Sequence, residues 1–128
     1  MGGPQGQSRP RRGAATGKTP MKRGEIWWAI LELPVGRRPV VLLSRDVAYA
    51  IRTNVTVAEV TRTIRALRSE VALGKRDGLP QTCVVNTDNV ATIPKARLES
   101  KIASLSALKR AELDEALRFS LGLDTSMT

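Results

Sequence analysis

The sequence predicts a mainly β fold, with several short antiparallel strands around a small barrel-like core and one packed C-terminal α-helix. Three observations carry this. Short β-rich runs recur at Glu25–Leu31, Pro39–Leu43 and Asn54–Thr61, each set off by Gly, Pro or polar residues. The Pro34-Val35-Gly36-Arg37 link is short enough for an antiparallel hairpin. Helical spacing of apolar residues (Leu113, Ala116, Leu117, Leu121) follows Ser106, a suitable N-cap, and Gly122 is suited to the C′ position.

Residues 1–20 are rich in Gly, Pro, Gln, Ser and Arg without apolar periodicity, and read as a disordered basic tail. Met21 directly precedes the first strand pattern. It is expected to be the functional start, or else the tail is a dispensable extension; a basic arm that raises RNA affinity is the alternative. The folded domain is expected over 21–123, with a short tail at 124–128.

In strand one, Trp27 and Trp28 point to opposite faces, so one belongs to the core and the other to an interface or groove. Strand two is a short, buried central run from Pro39 to Leu43, with Arg38 at its mouth. Residues 45–53 read as irregular. Asn54–Thr61 alternates and makes strand three. Thr61–Arg68 reads as a loop or a single turn; Arg62, Arg65 and Arg68 stand at intervals of three, and in a helical turn they would share a face, for RNA contact or simply for solvation. Glu70–Leu73 and Thr82–Asn86 read as strands, joined by the turn Gly74–Pro80. Asn86, Asp88 and Asn89 then form one polar spot. A bend at Thr92–Lys95 and a strand at Leu98–Ser104 lead into the helix.

At 128 residues the chain has room for a single domain. Its net charge is +9, but six of its 21 basic residues lie in the acid-free first 23 positions. The rest is only mildly basic, which allows a polyanionic partner without demanding one. No run is apolar enough for a transmembrane helix, and the basic start lacks the apolar stretch of a secretory signal. The single cysteine, Cys83, cannot form an internal disulfide. It fits a reducing cytoplasm and the role of a small buried hydrophobe. There is no histidine, which excludes Ser-His and Cys-His catalysis and removes the commonest general base.

In order and spacing, the chain from Lys22 to about Leu123 resembles the MazF/PemK/Kid family of toxin endoribonucleases. The carrying pieces are Arg23–Ala29, Arg38–Ser44, Val55–Thr61, Gly78-Leu79-Pro80, Val84–Asn89, Thr92–Leu98 and the amphipathic C-terminal helix. The resemblance implies an SH3-like, strongly twisted antiparallel barrel, as in MazF and CcdB. It implies a homodimer that cleaves single-stranded RNA at short motifs without metal or cofactor. It also implies a cognate MazE-like antitoxin that blocks the RNA groove.

Arg38 and Thr61 match the family's most general active-site pair. Asp88 matches an acidic position that serves as base in some members, whereas Asn86 stands where those members carry a second arginine. The family's Gly-Ser-Glu-Gln piece between strands one and two is absent here. The expected roles are a charge clamp for Arg38, a phosphate hydrogen bond for Thr61 and the base for Asp88, whose alternative is a turn acid. Asn86 and Asn89 have the amide geometry to read a base edge, and Arg37, Ser44 and Arg62 complete the expected RNA contacts.

RNA supplies its own nucleophile, the 2′-OH, so a protein without histidine or metal can cut it by transesterification, leaving a 2′,3′-cyclic phosphate and a 5′-OH. Two other readings compete: a CcdB-like toxin that poisons a protein target such as DNA gyrase, and a non-catalytic RNA-binding barrel. The second would need exposed stacking aromatics, and Trp27, Trp28, Tyr49 and Phe119 are the only aromatic residues.

Overall fold

The structure, a computed structural model, describes residues 20–123. The readings of the two tails therefore lie outside the described residues, Pro20 excepted. The strands are β1 (Glu25–Ile30), β2 (Arg37–Leu42), β3 (Asn54–Thr61), β4 (Glu70–Leu73), β5 (Cys83–Pro94) and β6 (Leu98–Ser104). Helix α1 (Ala48–Ile51) is a single turn, and α2 (Ala107–Ser120) is the C-terminal helix. The strands make one sheet in the order β4-β5-β3-β2-β1-β6, and its neighbouring strands pair antiparallel.

The runs at β1, β2 and β3 are apolar because both faces of the sheet are covered there. On one face Ile26, Val41, Ala58, Val60, Val71 and Val85 pack with Leu113 and Ala116 of α2. On the other, Trp27, Val40, Leu42, Val55 and Val57 pack with Tyr49 of α1, Ile93 and Leu98. Trp27 is buried and Trp28 half-buried, as their alternation requires. The sheet curls until the turn after β4 reaches β6. A Cβ on Gly78, at φ +91°, would lie 2.7 Å from the Ala103 Cβ, so only glycine fits there. Ser106 caps α2 by accepting the Lys109 N–H at 3.1 Å, and Gly122 takes the left-handed conformation at φ +71°.

Several expectations are corrected. β2 starts at Arg37, because the hairpin closes further out, with the Leu31 N–H on the Gly36 carbonyl at 2.9 Å. Arg38 is thus inside the strand, paired with Ala29. Pro39 is tolerated there because the ladder to β3 begins only at Val40. Residues 45–53 are not wholly irregular, since α1 lies within them and Tyr49 inserts into the core. β5 runs through the expected bend to Pro94, held by pairing with β3 as far as Asn54.

Of the two readings of Thr61–Arg68, the loop is the one found, with Ala66 at φ 58°, so Arg62, Arg65 and Arg68 share no helical face. Arg62 bonds Gln81, the Arg65 N–H bonds Glu70, and Arg68 stacks on Phe119 at 4.5 Å. Leu121 is exposed, so the apolar face of α2 ends at Leu117, which packs against the core.

Tyr49, the sole tyrosine, donates its hydroxyl to the Ser44 carbonyl at 2.9 Å. Burial pushes its pKa up to about 12 from the usual 10.0. The folded state therefore holds this proton more tightly. The associated stability is complete below pH 10 and is lost as the pH rises toward 12. Absorbance titration at the phenolate band should give a midpoint near 12 for folded protein and near 10 in denaturant; a folded midpoint at 10 would show the hydroxyl to be solvent-exposed.

Candidate nucleic-acid interface

At one end of the sheet the apolar cover stops while the strands continue. On β3 the face that presents Val55 and Val57 to the core next presents Glu59 and Thr61. On β2 the face of Leu42 and Val40 next presents Arg38. Val40 pairs with Glu59, and continuing that register sets Arg38 beside Thr61. Two rigid strands thus deliver an arginine, a carboxylate and a hydroxyl to one spot. Arg38 Nη1 lies 3.5 Å from Glu59 Oε1. The Thr61 hydroxyl accepts the Thr63 N–H at 3.1 Å, which leaves its own proton free to donate.

Two adjoining cavities share Arg38, Thr61 and Thr63. The larger, about 480 Å³, has an apolar lining that includes Trp28, Pro39, Val60, Leu79 and Ile102, and Arg62 and Gln81 also line it. Cys83 lies in this lining, 4% exposed, and burial pushes its thiol pKa up, with Asp77 adding to the effect. The smaller cavity, about 210 Å³, is polar, with Glu59, Arg65, Asn86 and Asn89 completing its lining.

The asparagines come from an irregularity in β5. Ala58 pairs with Val90 but Glu59 with Asn86, so Thr87, Asp88 and Asn89 are extra residues on the β5 side. Thr87 turns inward, where its hydroxyl donates to the Ser69 carbonyl at 2.6 Å and lies 3.3 Å from that of Ala116. Its N–H also bonds Ser69 at 2.9 Å. Asp88 is turned outward, its N–H on Asn86 Oδ1 at 3.0 Å.

Of the residues expected from the sequence, the structure brings Arg38, Thr61, Arg62, Asn86 and Asn89 to the two cavities. Asp88 is exposed and lines neither, because the bulge that buries Thr87 points its neighbour to solvent. Ser44 is also elsewhere. Its hydroxyl accepts the Thr56 N–H at 2.8 Å, where it fixes the start of β3. Arg37 stacks on Trp28 at 3.9 Å and pairs with Glu99 at 2.8 Å, so it supports the wall of the larger cavity without lining it.

Glu59, Thr63 and Gln81 were not among the expected site residues; Trp28 is the groove-side tryptophan that the alternation of β1 implies, and Arg65 belongs to the arginine trio read for RNA contact or solvation. For Glu59 the signal was present, since it stands two residues before Thr61 on a strand and must share its face. Among the described residues no three His, Cys, Asp or Glu side chains gather where they could hold a metal ion. No helix among them is long and apolar enough to cross a membrane.

An arginine fork and a free hydroxyl proton, set between an apolar and an amide-lined cavity, define a small β half-barrel with a site suited to a phosphodiester. A sequence model of the PemK-like, MazF-like toxins of type II toxin-antitoxin systems matches residues 22–121. The chain is 43% identical over 104 residues to the probable endoribonuclease MazF2 of Mycobacterium tuberculosis, covering 80% of this chain and 99% of that one. It is 32% identical over 111 residues to endoribonuclease EndoA of Bacillus subtilis, covering 80% and 96%.

Among solved structures, the M. tuberculosis toxin MazF-mt6 superposes with a TM-score of 0.73 at 40% identity, covering 78% of this chain and 98% of that one. A mycobacterial endoribonuclease in complex with its cognate antitoxin gives 0.72 at 27% identity, covering 80% and 96%. The chain belongs to the PemK-like, MazF-like toxin family.

Replacing Thr87 by Val keeps its shape but removes the buried hydroxyl bond, which should cost about 1–2 kcal/mol in urea unfolding. RNA binding should weaken with it as the Asn86–Asn89 bulge loosens; unchanged stability would show that the bulge is held by other contacts.

Proposed function

We propose that this protein is the toxin of a type II toxin-antitoxin pair and acts as an endoribonuclease on single-stranded RNA. The observation that carries the reading is the junction of the two cavities at Arg38 and Thr61. A phosphodiester bound there receives the arginine fork and the threonine hydroxyl. The apolar cavity then suits one neighbouring base, and the amides of Asn86 and Asn89 suit the edge of another.

Single-stranded RNA fits because its bases can be splayed into two such cavities and because its 2′-OH supplies the nucleophile. Holding that hydroxyl in line with the scissile bond accounts for much of the rate; oriented model reactions gain roughly 7–11 kcal/mol in this way. Arg38 stabilises the charge that develops on the phosphorane-like transition state. A guanidinium stays protonated at any working pH, so charge stabilisation suits it better than proton donation. The products are a 2′,3′-cyclic phosphate and a 5′-OH, formed without metal or cofactor.

The cognate antitoxin bound to one structural neighbour supports a MazE-like antitoxin as partner; the working form is read as a homodimer in the cytoplasm. The relatives' names do not favour a CcdB-like toxin aimed at gyrase.

Purified protein should cut a long transcript of mixed sequence in excess EDTA, and intact RNA would reject the reading. Arg38→Ala should slow cleavage at least about a hundredfold, because a donor aimed at developing charge is worth ~3–4 kcal/mol. Asp88→Asn should stay within about threefold of the unmodified protein on the same transcript, as befits a carboxylate outside the cavities.

A further inference from the structure

We propose that Glu59 is the general base of the cleavage, taking the proton from the attacking 2′-OH. The inference rests on the ribonuclease reading above and adds the group that reading leaves unassigned. Among the described residues, Glu59 is the only carboxylate that lines either cavity. The other nearby acids are occupied or remote. Glu70 stands across β5 from Glu59 but accepts the N–H groups of Arg65, at 3.1 Å, and Leu67, at 3.4 Å. Glu99 is held by Arg37, and Asp88 lines neither cavity.

Glu59 is not spent on a tight structural pair. Its contact with Arg38 is 3.5 Å, well beyond the 2.7–2.9 Å of a strong charge-assisted bond. That contact uses Oε1 alone, and Oε2 has no hydrogen bond among the described residues. The Glu59 side chain is 14% exposed, enough to meet a ligand and too little to move freely. Groups from three directions face it. Arg38 comes from β2, Arg65 from the loop after β3, and Asn86 is its partner on β5. Only one of Arg38's five donors is directed at Glu59, so the others remain for the phosphate. A phosphate seated on Arg38 and Thr61 therefore brings the adjoining ribose within reach of Glu59.

In the step itself, Glu59 takes the 2′-OH proton as the 2′-oxygen bonds to phosphorus. The bond from phosphorus to the 5′-oxygen breaks, and the leaving oxygen takes a proton from water in the open groove. Glu59 then releases its proton to solvent, so atoms and charge balance without any further reagent.

The test uses the full chain and an RNA oligonucleotide carrying a mapped cleavage site, with its 2′-deoxy counterpart at that site as an uncleavable ligand. Glu59→Gln should cut at least about a hundredfold more slowly while binding the uncleavable ligand within threefold of the unmodified protein. The unmodified protein should lose rate toward low pH, and Glu59→Gln should not show that fall. Glu59→Asp should keep that fall at reduced rate, and formate should partly restore Glu59→Ala.

A Glu59→Gln protein with unchanged rate or an unchanged pH profile overturns the assignment. So does a loss of binding that matches the loss of rate, which would make Glu59 only a support for Arg38. If the unmodified protein cuts no RNA, the ribonuclease reading itself fails. If it cuts and Glu59→Gln cuts equally well, only the base assignment fails.

Discussion

The register of β2 against β3 is the constraint on which the site depends. Val40 opposite Glu59 puts Arg38, Glu59 and Thr61 on the same face of the sheet, just past the last covered layer of Val40 and Val57. A slip of one residue would turn all of β3 over. Glu59 and Thr61 would then face the core under α2, while Ala58 and Val60 left it. Burying a carboxylate in that apolar layer is far more costly than losing any single contact of the native pairing. The register is therefore protected by the polar residues that do the chemistry as well as by the apolar ones behind them. Fold specification and site assembly here are one physical event.

The second determinant is the β5 bulge, and it ties the site to parts of the chain distant in sequence. Thr87 reaches the carbonyls of Ser69, just before β4, and Ala116, in α2. Helix α2 thus has two roles. Leu113 and Ala116 bury one face of the sheet, and the Ala116 carbonyl lies within reach of the residue that sets the bulge. Asn86 and Asn89, one on each side of the buried Thr87 and exposed Asp88, both reach the polar cavity because the extra residues arch the strand between them.

Much of this was legible in the chain. The bounds of β3, β4 and β6 match the expectation residue for residue, because their alternation or flanking turns are local signals. The opposed tryptophans and the cap of α2 are local too. What failed was non-local. Placing Asp88 at the site assumed that the polar run after Val85 stays in one place, but a three-residue bulge sends alternate members in opposite directions. Its cause, the Thr87 contacts with Ser69 and Ala116, joins residues 18 and 29 positions apart. Glu59 was missed for a different reason: on a half-buried strand a polar residue reads as the solvent face, and only the end of the core shows that this solvent is a binding cavity.

A chain without histidine must divide among several groups what an imidazole would do alone. Arg38 supplies fixed charge, Thr61 offers a neutral donor, and a carboxylate accepts a proton but repels phosphate. Placing Arg38 between the carboxylate and the ligand reconciles these demands, since its guanidinium offsets the repulsion that Glu59 alone would exert. The loose 3.5 Å pairing serves the same end. A tight bidentate bridge would commit donors and acceptors to each other, and opening it would subtract from RNA binding. A strand-mounted pair held near contact, with one carboxylate oxygen unbonded, keeps both groups aligned and available when the phosphate arrives.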